Sequence, residues 1–279
     1  MAARADPTYT LGVSDGETRR LIAQSALIDR PTQRFLEDAG IAPGMRVLEV
    51  GSGAGDVAIA AARLVGPSGV VAGVDRNGAI LATARRRAAE ADLANLTFVE
   101  ADLREIPVDG AFDAVVGRFV LLYVADPAEA LRGLVERLRP GGIVAFMELL
   151  MSVLNDYGLR HPELGVYNRC MSWVVRVLEA SGTHPNLGAD LPRLFRRAGL
   201  SSVRLSFFAP MFDADDVAAC VYVAETLRSV VPLLEKYRIA TAAEVDPDTL
   251  AERLRRELVQ TGTPTMVLPT VWAAARKPT

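Results

Sequence analysis

The chain has 279 residues, half of them hydrophobic and only 6% aromatic, and its formal net charge at pH 7 is −3. This length is sufficient for one large α/β domain, whose core must consist mainly of Ala, Val and Leu. The slightly acidic balance gives no basic surface of the kind that nucleic-acid-binding proteins carry, and acidic residues accompany the arginines along the chain.

Segments that direct a protein to a membrane or out of the cell are not evident in the sequence. Residues Met1–Gly16 contain charged side chains and no apolar centre, unlike a secretory signal, and Val217–Leu234 is interrupted by Glu225 and Arg228. The two cysteines are far apart and cannot form a CxxC metal site. We therefore expect a cytoplasmic protein that binds no metal, no nucleic acid and no membrane.

Residues 1–40 predict two helices ahead of the first strand. Ser14 or Asp15 is suited to cap the first helix, and Pro31 is suited to begin a second helix that ends at Gly40. We expect this region to form a helical cover beside the functional site.

The stretch from Met45 to Asp56 predicts a buried strand, a glycine turn at Gly51, Gly53 and Gly55, and the start of a helix that runs to Leu64. Glycine allows unusual dihedral angles and a close approach of backbone to ligand, and the free amides of the following helix face the same space. A second apolar strand, Val70–Val74, ends in Asp75, whose carboxylate is suited to accept hydrogen bonds from a ribose diol. This pattern indicates a nucleotide-type cofactor site at the carboxyl ends of parallel strands.

Strand and helix patterns alternate regularly up to Glu148, which predicts a parallel sheet with helices on both faces. The elements expected there are a helix over Gly78–Ala91, strands over Leu96–Glu100 and Phe112–Gly117, a helix over Pro127–Leu138, a turn over Arg139–Gly142 and a strand over Ile143–Glu148. The later elements are helices over Tyr167–Ala180, Asp190–Ala198 and most of Asp213–Gln260 with breaks near Pro232 and Pro247, and strands over Ser201–Phe208 and Thr265–Ala275. Pro269 favours an edge or a bulge for the last of these strands.

The glycine turn is not a dinucleotide fingerprint, because Asp56 stands where G-x-G-x-x-G requires its last glycine. The run Glu49–Gly55 instead resembles the first motif of the class I S-adenosylmethionine-dependent methyltransferases. The resemblance extends over Val47–Glu148, and four further pieces follow in the family's order: Asp75, Ala101–Leu103, Phe112–Val116 and Leu138–Gly142.

The resemblance implies both the fold and the cofactor. The fold would be α/β and Rossmann-like, a doubly wound, seven-stranded, mostly parallel sheet in the order 3-2-1-4-5-7-6, with an antiparallel seventh strand and helical cap insertions. A single domain, 1–279, would contain the helical cover 1–40, a cofactor-binding core 41–150 and substrate-cap insertions 151–188 and 210–262. The cofactor would be S-adenosyl-L-methionine, with its methyl group transferred to O, N or C of a small-molecule acceptor.

The resemblance also implies which residues contact the methionine part of the cofactor. The side chain of Glu49 and the backbone of the glycine turn, at Gly51, Gly53 and Gly55, would face it. Arg118, just after the fourth strand, would lie where cofactor and acceptor meet, and an ordinary surface arginine is an equally good interpretation.

The adenosine part of the cofactor would contact two later segments, again by resemblance. Asp75 would hold both ribose hydroxyls, with Arg76 beside it. Asp102 would accept a hydrogen bond from the adenine amino group, and the amide of Leu103 would reach a ring nitrogen.

Methyl transfer from a sulfonium is an in-line displacement with a good leaving group, so alignment and exclusion of water supply most of the catalysis. A base is needed only where the acceptor is protonated. Glu148, at the end of the fifth strand, and the loop residue His161 are the candidates for that role, as is His184. A structural carboxylate and exposed histidines are the simpler interpretations. Tyr9 and Gln24 are possible cofactor or substrate contacts. The simpler interpretations are that Tyr9 packs against other residues and that Gln24 is exposed to solvent.

Departures from subfamily motifs narrow the expected acceptor. Gly117–Val120 stands where enzymes that methylate nucleobase amines carry Asn/Asp-Pro-Pro-Tyr/Phe, so the sequence favours a small molecule over nucleic acid. Two alternatives stay open at this level, an NAD(P)-dependent Rossmann oxidoreductase and a catalytically silent cofactor-binding protein. A homodimer is also possible.

Overall fold

The computed structural model of the chain describes residues 15–108 and 110–279. The candidate Tyr9 lies outside these residues. The chain divides into two compact units, which we call the sheet unit and the helical unit. Of the described residues, the sheet unit comprises Ile28–Glu148, Gly188–Ser206 and Val271–Thr279, and the helical unit comprises 15–27, Leu149–Leu187 and Phe207–Thr270.

Nine strands are present in the described residues: β1 Arg46–Val50, β2 Val70–Asp75, β3 Leu96–Glu100, β4 Phe112–Arg118, β5 Leu138–Leu149, β6 Arg204–Phe208, β7 Met211–Phe212, β8 Thr265–Met266 and β9 Thr270–Arg276. Seven of them form one sheet in the order β3-β2-β1-β4-β5-β9-β6, and β7 and β8 form a separate antiparallel ribbon. The pairs from β3 through to β5 are all parallel. The predicted seven-stranded, mostly parallel sheet and its order are confirmed.

The last strand, β9, runs antiparallel to β5. At the start of β5, the amide of Gly141 donates to the carbonyl of Lys277 at 3.0 Å, and at its end the amide of Leu150 donates to the carbonyl of Pro269 at 2.8 Å. Because β9 lies between β5 and β6, the expectation of an edge strand there is wrong. Pro269 precedes the strand, so the sheet interior loses no amide donor to it.

Ten α-helices are present in the described residues: α1 Asp15–Ala39, α2 Asp56–Val65, α3 Gly78–Glu90, α4 Pro127–Glu136, α5 Ser152–Arg160, α6 Gly165–Ala180, α7 Leu187–Arg197, α8 Val217–Lys236, α9 Ala242–Val245 and α10 Leu250–Thr261. A 3₁₀ helix spans Leu121–Tyr123. The side chains of Asn77 and Asp126 each accept two backbone amides at the starts of α3 and α4, which satisfies donors that a helix start leaves free.

The two helices predicted before β1 are one helix, α1, with Pro31 inside it. A proline in a helix interior costs about 3 kcal/mol. On the sheet-unit part of α1, Ile28, Phe35 and Leu36 are buried along one face, and each buried side chain of this size contributes about 1.5–3 kcal/mol. Burial of this face therefore outweighs the proline, and the helix continues to Ala39.

Three later expectations also differ from the structure. Pro232 lies inside α8 rather than at a break, and the helix α5 was not predicted separately. The predicted turn Arg139–Gly142 is part of β5, where a register irregularity against β4 accommodates the extra residues.

The helical unit is tied together by side chains that reach backbone groups. The carboxylate of Glu257 in α10 accepts the amides of Val166 at 2.7 Å and Tyr167 at 2.9 Å, at the start of α6. The hydroxyl of Tyr167 donates to the carbonyl of Met266 in β8. Of the helices in the described residues, α8 alone has the length and apolar composition of a membrane span, which is weak evidence because half of its apolar window is buried in the protein.

One part of the core of the sheet unit is formed by β4, β5 and α7. Phe146 in β5 and Phe195 in α7 are fully buried, with ring centroids 6.5 Å apart and planes at 85°. Gly117 in β4 leaves room for this pair, since a Cβ at that position would lie 2.5 Å from the Phe146 ring.

We expect Phe146→Ala to lower the free energy of unfolding by about 3–5 kcal/mol, because truncation leaves a cavity beside Phe195. Urea denaturation followed by circular dichroism measures this change. Phe207→Ala is the control, since that side chain is half exposed and its loss should cost less than about 1 kcal/mol. A loss at Phe146 no larger than that at Phe207 contradicts this description of the core.

Candidate cofactor-binding site

The turn between β1 and α2 has the backbone conformation that requires glycine. Gly51, Gly53 and Gly55 have φ angles of +70°, +49° and +88°, in the region that other residues avoid. The amides of Gly51 and Ser52 donate to the carbonyl of Val74 at 2.8 and 3.0 Å, which holds the turn beside the end of β2. A side chain at Gly51 would also collide with Val120. The glycine turn therefore presents backbone without side chains at the edge of the sheet.

Asp75 is half-buried at the end of β2 and is bonded to the glycine turn. Its Oδ2 accepts the amide of Gly53 at 2.8 Å, and its Oδ1 accepts the amide of Asn77 at 2.9 Å. A carboxylate has about four acceptor positions, so two remain for a diol. Asp75 thus fixes the turn and keeps acceptor capacity for a ligand.

Glu49, at the end of β1, is a buried carboxyl with an unused oxygen. Its side chain is 1% exposed, Ser52 Oγ donates to Oε2, and Oε1 has no hydrogen-bond partner among the described residues. Burial raises the pKa of Glu49 well above its usual range, and the charges of Asp75 and Asp56 raise it further. The Ser52 hydrogen bond and the Arg118 charge oppose this pKa shift in part. A buried acceptor without a partner, beside a glycine cradle, fits a cofactor that carries positive charge.

Arg118, at the end of β4, is 8% exposed and bonded to protein groups, so the surface interpretation is wrong. Its Nη1 donates to Thr32 Oγ1 at 2.7 Å, and its Nη2 lies 3.2 Å from Asp56 Oδ2. Asp56 also pairs with Arg87 Nη1 at 2.6 Å. These contacts join α1, α2, α3 and β4 within the sheet unit. The cofactor-binding role of Arg118 stays a prediction, because Asp56 already supplies a counter-charge.

The adenine-side candidates lie together in the sheet unit just after β3. Arg104 Nε and Nη2 donate to the Asp102 carboxylate, each at 2.8 Å, and the Arg104 amide donates to Oδ1 at 2.9 Å. The Arg104 hydrogen bond lowers the pKa of Asp102 against the opposing effect of burial, and the exposed Arg76 lowers it slightly more. Leu103, which lies between Asp102 and Arg104 in sequence, is half-buried. An adenine amino group bound here must share Asp102 with Arg104.

Glu148, at the end of β5, bonds to backbone rather than to another side chain. Its side chain is fully buried, and Oε1 accepts the amides of Val120 at 3.1 Å and Leu121 at 2.8 Å. Burial raises its pKa to about 8, with these amide hydrogen bonds opposing the shift. The carboxyl is therefore mainly protonated at neutral pH.

The remaining candidates lie in the helical unit. His161 ends α5, where its Nδ1 is 3.1 Å from Glu163 Oε1 and its ring centroid is 4.5 Å from that of Tyr157. Gln24 is buried and accepts a hydrogen bond from Arg20 at 2.7 Å, so the simpler expectation of solvent exposure is wrong. The sheet unit thus contains all nine cofactor candidates together with Glu148, and His161 belongs to the other unit.

Several residues of this site were not singled out from the sequence. Thr32, Ser52, Arg87 and Arg104 each bond to a candidate or to its partner. Only Arg104 and Ser52 could have been found from the local sequence, since each is within three positions of the acidic residue to which it bonds. In the described residues, no group of three or more His, Cys, Asp or Glu side chains is arranged to hold a metal ion.

The sheet order, the glycine turn after β1 and the carboxylate at the end of β2 together define a class of protein. These features are those of the class I S-adenosylmethionine-dependent methyltransferases, and the glycine turn and the unpartnered Glu49 oxygen fit the cationic cofactor of that class.

Comparison with known proteins supports the same class. Residues 41–158 match the family model described as a methyltransferase domain. The ubiquinone/menaquinone biosynthesis C-methyltransferase UbiE of Pseudomonas fluorescens (strain SBW25) is 38% identical over 119 residues, which are 42% of this chain and 46% of that protein. The chain thus spans about half the length of the curated relatives that it matches. Over residues 41–158 the chain is thus similar to methyltransferases, in agreement with its sheet order and glycine turn.

Solved structures share the fold at low sequence identity. Phosphoethanolamine N-methyltransferase 2 of Haemonchus contortus, in complex with phosphomonomethylethanolamine and S-adenosylhomocysteine, has a TM-score of 0.58 at 17% identity and covers 95% of this chain and 58% of its own. The [4+2]-cyclase SpnF has a TM-score of 0.56 at 18% identity, with 99% and 98% covered. Identities this low establish a common fold only.

We expect Asp56→Ala to lower the free energy of unfolding by about 3–5 kcal/mol, because it leaves the buried Arg118 without a counter-charge. Arg118→Met should also destabilise the protein. The double variant should lose less than the sum, with a coupling of about 0.5–3 kcal/mol, since removal of both charges leaves neither unpaired. Urea denaturation of the four proteins measures this coupling.

The exposed pair Arg34–Asp38 on α1 is the matched control, with side chains 71% and 57% exposed. Its coupling should stay below about 1 kcal/mol. If Asp56 and Arg118 show no more coupling than this surface pair, the structural role of Arg118 is refuted.

A second expectation concerns the pH dependence of stability. The Glu148 carboxyl ionises near pH 4.5 in the unfolded chain and near pH 8 in the folded protein. Its contribution to stability is therefore fully present below about pH 4.5, decreases as the pH rises, and is lost above about pH 8. Glu148→Gln cannot ionise, so it should gain stability relative to wild type over this window, by at most about 1.4 kcal/mol per pH unit.

Urea denaturation of wild type and Glu148→Gln at several pH values tests this expectation. Glu90→Gln is the control, because that side chain is 67% exposed and its replacement should change stability by less than about 1 kcal/mol. A constant difference for Glu148→Gln across the window means that the pKa of Glu148 is not raised.

Proposed function

We propose that this chain transfers the methyl group of S-adenosylmethionine to O, N or C of a small-molecule acceptor. The observation that supports this most directly is the buried, unpartnered Oε1 of Glu49 beside the bare backbone of the glycine turn. When bound, the sulfonium supplies an activated methyl group with a good leaving group. The residues of the chain then bind, orient and exclude water, in keeping with a reaction that needs alignment more than a nucleophile.

Each cofactor candidate has a role in this proposal. Glu49 and the glycine turn hold the methionine part, and Asp75 accepts the ribose hydroxyls through its remaining lone pairs. Asp102 and Leu103 contact adenine, Arg76 lies beside Asp75, and Arg118 lies where cofactor and acceptor meet. A base enters only for an acceptor that is protonated when it reacts. His161 and His184 are the remaining candidates, because His161 is partly exposed and His184 is exposed.

The names of the curated relatives suggest which class of acceptor to test, and the helical unit contains the residues proposed to select it. Those relatives are named as C-methyltransferases of ubiquinone and menaquinone biosynthesis, but the match covers 119 residues and about half of each protein. A ring carbon of a phenol or quinol is therefore the first acceptor to test. Residues 151–188 and 210–262 are proposed to determine acceptor specificity, in a cytoplasmic enzyme that can form a homodimer.

A second candidate function is a protein that binds the cofactor without methyl transfer. The specific observation in its favour is that a [4+2]-cyclase has this fold over nearly all of both chains. The nicotinamide-dependent oxidoreductase has no such support, because Asp56 replaces the glycine that its motif requires.

Cofactor binding is the first test of the proposed function. Calorimetry should show micromolar or tighter binding of S-adenosylhomocysteine and no comparable binding of NAD. Asp75→Ala should weaken the former by about 1–3 kcal/mol, because hydrogen bonds to a charged acceptor are lost. Asp190→Ala, which removes an exposed carboxylate paired with Arg193 on α7, should leave the affinity unchanged.

Turnover then separates the two candidate functions. The wild-type protein with labelled cofactor and a panel of phenols, quinols, amines and carboxylic acids should yield a labelled product that requires Asp75. Binding of NAD alone defeats the assignment, and a tight complex with S-adenosylhomocysteine that yields no product favours the silent candidate.

A further inference from the structure

The contacts of Glu148 are those of a residue that organises backbone. One carboxyl oxygen, Oε1, is shared by the amides of Val120 and Leu121. The other, Oε2, is buried and has no partner within the described ranges. A general base must reach the acceptor molecule, which enters and leaves the site in each turnover. The side chain of Glu148 is fully buried.

The segment that Glu148 holds has no cap of its own. The 3₁₀ helix Leu121–Tyr123 begins after Val120, which offers no side-chain hydrogen bond to the free amides. Phe119, immediately before it, has a φ of +57°, a conformation that is unfavourable for a large side chain. Contacts from outside the segment must therefore maintain its shape, and the Glu148 carboxyl supplies acceptors for two of its amides.

The same segment lies directly on the glycine turn. A Cβ built on Gly51 would lie 2.3 Å from Cγ2 of Val120, so the valine side chain packs against bare backbone. On its other side, Gly51 donates its amide to Val74 at 2.8 Å. The first glycine of the turn is thus held between β2 and Val120, and Val120 is held by Glu148.

We infer that Glu148 is a positioning residue, which keeps Val120 against Gly51 and so fixes the shape of the cofactor turn. This inference rests on the proposed function, since it assigns the turn to cofactor binding. The carboxyl is mainly neutral at pH 7, because burial raises its pKa to about 8. Glutamine, which is neutral and retains one acceptor oxygen, is therefore a close substitute, whereas methionine has similar length and no comparable acceptor.

Four variants separate positioning from catalysis and from general stability. Glu148→Met removes the acceptor, Glu148→Gln keeps it, and Val120→Ala removes the contact with Gly51 while leaving both amides in place. Asp126→Ala is the matched control, because Asp126 also accepts two amides at a helix start, that of α4. The readouts are the affinity for S-adenosylhomocysteine by calorimetry, hydrogen exchange of residues 51–55 without ligand, and the pH profile of turnover.

Positioning predicts a definite pattern among these variants. Glu148→Met and Val120→Ala should weaken S-adenosylhomocysteine binding about tenfold or more and accelerate exchange of residues 51–55, because the turn loses its support. Glu148→Gln should restore the affinity to within about threefold of wild type. Its turnover should follow the wild-type pH profile. Asp126→Ala should lower the midpoint of thermal unfolding without changing either readout at the turn.

Two results overturn the inference. Loss of turnover in Glu148→Gln with unchanged affinity identifies a catalytic carboxyl. If Glu148→Met and Val120→Ala both keep the wild-type affinity and the wild-type hydrogen exchange of residues 51–55, the turn needs no such support. If Glu148→Met does not fold, Val120→Ala decides by the same readouts. If the wild-type protein binds no S-adenosylhomocysteine, the proposed function fails, and exchange of residues 51–55 still tests the positioning role.

Discussion

The parallel pairing of β2, β1, β4 and β5 is the constraint on which the site depends. Parallel strands in register bring their carboxyl ends to one edge of the sheet, and the residues there are Glu49, Asp75, Arg118 and Glu148. Three carboxyl groups and one guanidinium are thereby concentrated where the sheet has no further backbone partners. The hydrogen-bond and ion-pair partners of these groups differ from one position to the next.

Burial and available partners decide the state of each carboxyl group. Asp75 accepts two backbone amides, and Asp56 pairs with two arginines. Glu49 has one hydroxyl donor and Glu148 has backbone amides on one oxygen only, and burial raises the pKa of both. Each of these two groups with a raised pKa also has one carboxyl oxygen without a hydrogen-bond partner in the described part of the chain.

The sequence was sufficient for the parts of the site that depend on local patterns. Alternating strands and helices predicted the sheet, and the spacing of Gly51 and Asp75 predicted two groups at its edge. Partners that are distant in sequence were not predictable, because pairing of Arg118 with Thr32 and Asp56 depends on how the elements pack. The continuation of α1 through Pro31 was missed for the same reason, since buried contacts of the whole helix outweigh a local propensity.

The limits of the match to curated relatives have a physical explanation. The curated match covers 119 residues, and the family model matches residues 41–158, which include the glycine turn and the carboxyl ends of β1, β2, β4 and β5. Methyl transfer by alignment requires no fixed nucleophile, so the residues of the matched range need not determine the acceptor. The same fold occurs in a [4+2]-cyclase, so the fold alone does not fix the reaction. We therefore propose that residues outside the matched range select the acceptor.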